Sequence, residues 1–166
     1  MTLHITSSQG RVDEPRFSGR RVVTLSVAWD EAGRRRLRRD AADGTDVAID
    51  LEAGGYLADG TVLEDDGERV LVVSRTTEPA LVVRLVPGLP SRRLLAQAAA
   101  VGHAFGNQHV PLDLEGFEIR VPLTTSEAVA RATVEALSLD GAVVSVAEVA
   151  LGRLGPLWGG RGHGHH

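Results

Sequence analysis

Residues 89–115, "LPSRRLLAQAAAVGHAFGNQHVPLDLE", contain the change of rhythm on which the fold reading turns. After Pro90, Ser91 can cap a helix, and Leu94, Ala98, Val101 and Phe105 recur along one stripe at helical spacing. Gly106-Asn107 offers the residues best suited to a left-handed cap, so the helix is expected to end there. From His109 the period becomes two: Val110, Leu112 and Leu114 alternate with His109, Pro111, Asp113 and Glu115, which predicts a strand over 109–115. Pro111 cannot donate a ladder hydrogen bond, so that strand belongs at a sheet edge.

Working outward, Gly116 turns the chain into a second strand, "FEIRV" (117–121). Thr124 with Glu127 forms a capping box for a helix carrying Ala130, Thr133, Val134 and Leu137. Asp140-Gly141 closes it, and "AVVSVAEVAL" (142–151) reads as a last strand. Upstream, "ALVVRLV" (80–86) is a first strand, so the order is β-α-β-β-α-β, the ferredoxin-like pattern. Further upstream the rhythm is period two throughout. Val23, Leu25, Val27 and Trp29 share one face, Val47, Ile49 and Leu51 another, and "ADGTVLEDDGERVLVVS" (58–74) reads as strands joined by Asp-Gly turns. The acidic "EDDGE" turn lacks the ligand spacing of a calcium loop.

The expected fold class is therefore α+β. Residues 1–19 are read as a flexible N-terminal arm, 20–77 as a small all-β domain, 78–151 as a ferredoxin-like domain and 152–166 as a flexible Gly/His tail. "TTEP" (76–79) marks the boundary, because Pro79 stops one pattern just before another begins.

Composition narrows the chemistry. The chain has 166 residues, no cysteine and a formal net charge of −4. Without thiolates, any transition metal must sit on imidazole nitrogen and carboxylate oxygen. The acidic balance argues against general nucleic-acid binding, and the basic block "RRRLRR" (34–39) reads as a solvated strand or turn balanced by Asp40, Asp43, Asp46 and Asp50. No stretch approaches the roughly 20 apolar residues of a membrane span, and no apolar signal-peptide core is evident at the start, so a cytoplasmic protein without membrane contacts is expected.

His109 should leave the core face at the helix-to-strand joint and be accessible. An isolated imidazole is a poor metal site, but near a two-fold axis it meets its own copy and becomes two. The competing reading is a surface or capping histidine. His103, near the end of the same helix, suits the C-terminal dipole and exposed carbonyls. His4 lies in the arm with no assigned role. The tail ends with His163, His165 and His166 among glycines, a composition suited to metal capture and unlike a plain six-histidine run.

"LSVAWDEAGRRRLRRDAADGTDVAIDL" (25–51) and, more specifically, "GNQHVPL" (106–112) resemble the UreE family of urease accessory proteins, with Gln108 where the family usually has Arg. The resemblance implies a β-rich partner- or peptide-binding domain followed by a ferredoxin-like metal domain. It further implies a homodimer in which His109 and its copy bind Ni(II) as cargo, supplemented by His163, His165 and His166, with Zn(II) or Cu(II) as possible substitutes. The implied partners are the urease accessory GTPase and the urease apoprotein assembly complex. The family's secondary histidines after the third strand have no counterpart in "IRVPLTTSEAV" (119–129). A rival from another class is a peptide-binding or regulatory adaptor with incidental histidines, its Arg block docking an acidic partner. A hydrolase using His109 with Asp113 has no nucleophile elbow and no His-Glu-x-x-His to support it, so no enzymatic activity is expected.

Overall fold

The alternating apolar residues of the first half close on one another as two sheets. The computed structural model describes residues 1–52 and 55–157. The first unit comprises Met1–Thr76 with the returning segment Gly152–Pro156. Its strands are β1 (Thr2–Ile5), β2 (Gly10–Arg11), β3 (Arg21–Val27), β4 (Arg36–Asp40), β5 (Asp46–Asp50), β6 (Thr61–Asp65) and β7 (Arg69–Arg75). One sheet has the order β1-β5-β4 and the other β2-β6-β7-β3. Leu37, Val47 and Ile49 from the first sheet and Val23, Leu25, Val27, Leu71 and Val73 from the second share one core. In β7 the opposite face is also covered, since Val70 and Val72 join Val62 and Phe17 in a smaller cluster. In β6, Val62 and Leu63 face opposite sides and enter different clusters, and a bulge shifts the register between Val62 and Glu64.

The first 19 residues depart from the expected loose arm. They supply β1, which pairs in parallel with β5, then β2, which pairs with β6, and a 3-10 turn at Pro15–Phe17. Ile5 and Phe17 are buried. Strands this short carry too few alternations to stand out from a Ser/Gly-rich background, and their partners lie about 40 to 50 residues away.

The second unit begins at Thr77 and contains β8 (Glu78–Arg84), α1 (Ser91–Gly106), β9 (Asp113–Glu115), β10 (Glu118–Pro122), α2 (Glu127–Glu135) and β11 (Val143–Val149). Its sheet runs β11-β8-β10-β9, antiparallel at every pairing. Val101 and Phe105 of α1 and Ala130 and Val134 of α2 pack on Leu81, Val83, Ile119 and Val121. Details differ from expectation at the caps. Ser91 begins α1 with Pro90 as its cap, and α2 is capped by Ser126, whose hydroxyl accepts from the Val129 amide at 3.3 Å, in place of Thr124. Thr124 is unsuited because its own amide is drawn back to the Pro122 carbonyl at 2.9 Å.

The expected flexible tail from 152 onward is also corrected over its first five residues. Gly152 is buried, Tyr56 and Arg75 both donate to its carbonyl, and the Asp59 amide donates to the Arg153 carbonyl at 2.8 Å.

Ion pairs make both units acid-sensitive. Asp46 accepts from Arg38 at 2.7 and 2.9 Å and from the Thr2 hydroxyl, and these bonds hold its carboxyl far below the usual range. Glu118 is lowered by hydrogen bonds from Arg84 and Arg120. A depressed folded-state pKa stabilises above the unfolded value, about 4, and that contribution disappears as pH falls through the folded value. Urea midpoints measured from pH 6 down to pH 2 should fall most steeply below about pH 4, and Asp46→Asn should flatten the fall.

Candidate functional site at the corner after the first helix

The α1 backbone continues through Asn107, whose φ is −62° and whose amide donates to the His103 carbonyl at 3.0 Å. Gly106-Asn107 is therefore not the left-handed cap. His109 takes that role, with φ of +56°. Its amide donates to Gly106 O and the Val110 amide to Phe105 O, both at 3.0 Å. This is the Schellman arrangement, with His109 at the position glycine usually occupies and Val110 packed in the same cluster as Phe105. The expected strand over 109–115 accordingly shortens to Asp113–Glu115, although β9 does lie at the sheet edge.

A side chain in the left-handed region costs about 1–2 kcal/mol relative to the right-handed one. Such strain persists where surrounding structure over-determines it, and it concentrates at functional positions. Here Val110, packed against the core, and the two backbone bonds enforce it. His109→Gly should raise stability by about 0.5–1 kcal/mol once the extra freedom of glycine in the unfolded chain is counted, whereas His109→Ala should leave it nearly unchanged. Equal urea midpoints for the two variants would contradict the assignment of strain.

The His109 side chain is exposed, as are Asn107, Gln108 and His103. His103 Nε2 lies 3.2 Å from Asn107 Nδ2 across one helical turn. Gln108 Nε2 donates to Ala104 O and to Thr133 Oγ1 of α2, both at 3.4 Å, tying the corner to the second helix. Asn107 was expected as part of the cap and Gln108 as a departure from the family's Arg; their contacts with His103 and Ala104 follow from a spacing of four along the helix. The outer face of α1 leading to the corner is apolar and exposed, with Leu95 at 70%, then Ala96, Ala99 and His103. His163, His165 and His166 lie outside the described residues. Among the described residues no group of three or more His, Cys, Asp or Glu is placed to hold a metal ion. His109 thus offers one nitrogen ligand per chain.

Elsewhere the charges neutralise one another. Arg34 pairs with Asp30 at 3.2 Å, Arg35 and Arg36 share Asp50 at 3.1 Å each, Arg38 pairs with Asp46, and Arg39 with Glu31. Asp43 turns instead to Arg69. Asp113 belongs to a second network in which Arg120 also meets Glu115 and Glu118, so this carboxylate is engaged by a guanidinium. In the "EDDGE" turn, Asp65 and Asp66 accept backbone amides from Gly67, Glu68 and Arg69, as a tight hairpin requires. No helix among the described residues is long and apolar enough to cross a membrane.

These features define a two-unit α+β protein that displays a strained, exposed imidazole at a helix corner. Residues 5–75 match the family model described as the UreE urease accessory protein, N-terminal domain. Urease accessory protein UreE 1 of Pseudomonas syringae pv. tomato is 36% identical over 107 residues, covering 64% of this chain and 68% of that protein. The urease accessory proteins UreE of Yersinia kristensenii and Yersinia aldovae are each 36% identical over 100 residues, covering 58% of this chain. The match spans only 44% of each Yersinia protein. The chain belongs to the UreE family of urease accessory proteins, which are not enzymes.

Proposed function

We propose that this protein is a cytoplasmic nickel metallochaperone for urease maturation, a homodimer that carries Ni(II) on His109 and its copy and passes it to an accessory GTPase and the urease assembly complex. The observation that carries this reading is the exposed imidazole of His109, held at a conformationally costly corner where, among the described residues, no group of three or more ligands gathers. One nitrogen per chain becomes a site only when a second chain supplies another. The exposed apolar face of α1, with Leu95 and Ala99 running toward His103, gives the second copy a surface to cover. The second unit, with sheet order β11-β8-β10-β9 and both helices packed with it in one core, then serves as the ferredoxin-like metal-binding and dimerisation domain. The first unit is the partner-binding domain.

Imidazole binds in its neutral form, so protons compete for the site and nickel is released more easily as pH falls. Nitrogen ligands favour Cu(II) over Ni(II), and Zn(II) also suits imidazole, so preference for nickel must rest on geometry and supply. The tail histidines His163, His165 and His166 supplement the pair with labile ligands that favour hand-over. In the adaptor alternative, the arginines meant to dock an acidic partner would exchange the exposed ion pairs they make within the chain for pairs with that partner.

Light scattering with and without Ni(II), followed by a chelator, tests the carrier reading. The expected result is a dimer that binds the ion and survives its removal. A protein that stays monomeric at every metal concentration would reject it.

A further inference from the structure

The second unit interrupts the first: the chain leaves after Thr76 and the next residues to pack on the first unit are Gly152–Pro156. We propose that Gly152–Pro156 is a strap that closes the first unit, so that the order of the loop around Asp59 depends on its being in place.

The strap is held at one buried point. Gly152 has φ of +57°, a conformation that favours glycine, and its carbonyl accepts the Tyr56 hydroxyl at 2.6 Å and Arg75 Nη1 at 2.9 Å. Arg75, only 6% exposed, also donates Nη1 to the Tyr56 oxygen at 3.0 Å and Nε to the Val27 carbonyl at 3.1 Å. Its guanidinium lies 5.7 Å from the centroid of the Tyr56 ring. A second attachment follows one residue later. The Asp59 amide donates to Arg153 O at 2.8 Å, Arg153 pairs with Asp59 at 3.9 Å, and the same aspartate accepts the Arg75 amide at 3.0 Å. Arg75 therefore joins the end of β3, the loop after β5 and the strap. A cation this deeply buried is kept only where its donors are satisfied, and the strap provides one of its acceptors.

Hydrogen exchange on three forms of the chain tests the strap: the full protein, a chain ending at Leu157 and a chain ending at Leu151. The Asp59 amide should exchange at the same rate in the first two and at least tenfold faster in the third. Equal rates in all three would overturn the proposal. In the full-length chain, Gly152→Ala forces a side chain into the left-handed region and should speed Asp59 exchange while leaving Val83, in the second unit, unchanged. An unchanged Asp59 rate in that variant would likewise overturn it.

Discussion

An Arg75→Met variant should unfold about 10–20 °C below the parent, the largest stability loss expected from a single substitution in this chain. Methionine fills much of the same volume but donates nothing, so the Val27 carbonyl keeps only the Thr76 amide and the Gly152 carbonyl only the Tyr56 hydroxyl. Hydrogen bonds from a charged donor are worth about 1.5–3 kcal/mol each, so losing those to Val27 and Gly152 puts the total near 3 kcal/mol or more. Tyr56→Phe, by contrast, removes one hydroxyl from the same network and should cost about 1 kcal/mol. Thermal unfolding followed by circular dichroism separates the two cases. A loss for Arg75→Met no greater than that for Tyr56→Phe would mean that the guanidinium is not the junction of the first unit.

The second large effect concerns metal and rests on the proposed carrier function. His109→Ala should weaken nickel binding by about a hundredfold or more, because each dimer loses two nitrogen ligands at once and a pair cannot be replaced by one neighbour. Removing residues 158–166 deletes His163, His165 and His166 and should weaken it by about tenfold, since those ligands supplement a site that persists without them. His109→Gly adds a control that few metal sites allow. The imidazole disappears while the corner becomes conformationally easier, so the protein should be more stable and still fail to hold nickel. Isothermal titration of the three variants gives the order. If truncation of the tail proved the more damaging, the primary site would lie among the terminal histidines.

The long regular elements were readable in advance because their periodicity repeats several times before it ends. Leu94, Ala98, Val101 and Phe105 repeat through a 16-residue helix, and Val23, Leu25 and Val27 through a seven-residue strand, and the structure packs both sets into cores. β1 was not readable, since four residues paired in parallel with a strand over 40 residues away leave no local mark. The segment after Leu151 misled through composition: glycine and arginine suggest a free coil, while Gly152 is buried by Arg75, 77 positions earlier. The corner itself was legible in kind and misplaced in detail. Gly106-Asn107 looked like the left-handed cap, yet the insertion of Val110 beside Phe105 sets where the helix must reverse, and that shifts the unusual conformation onto His109. Local preference located the joint; tertiary packing chose the residue.

The most direct test of the central claim is the stoichiometry of nickel binding, measured by titration on protein whose mass is followed by light scattering. The account predicts one tightly held ion for every two chains, in a dimer, and loss of that tight site in His109→Ala. One tight ion per single chain, or a site of undiminished affinity in His109→Ala, would contradict it.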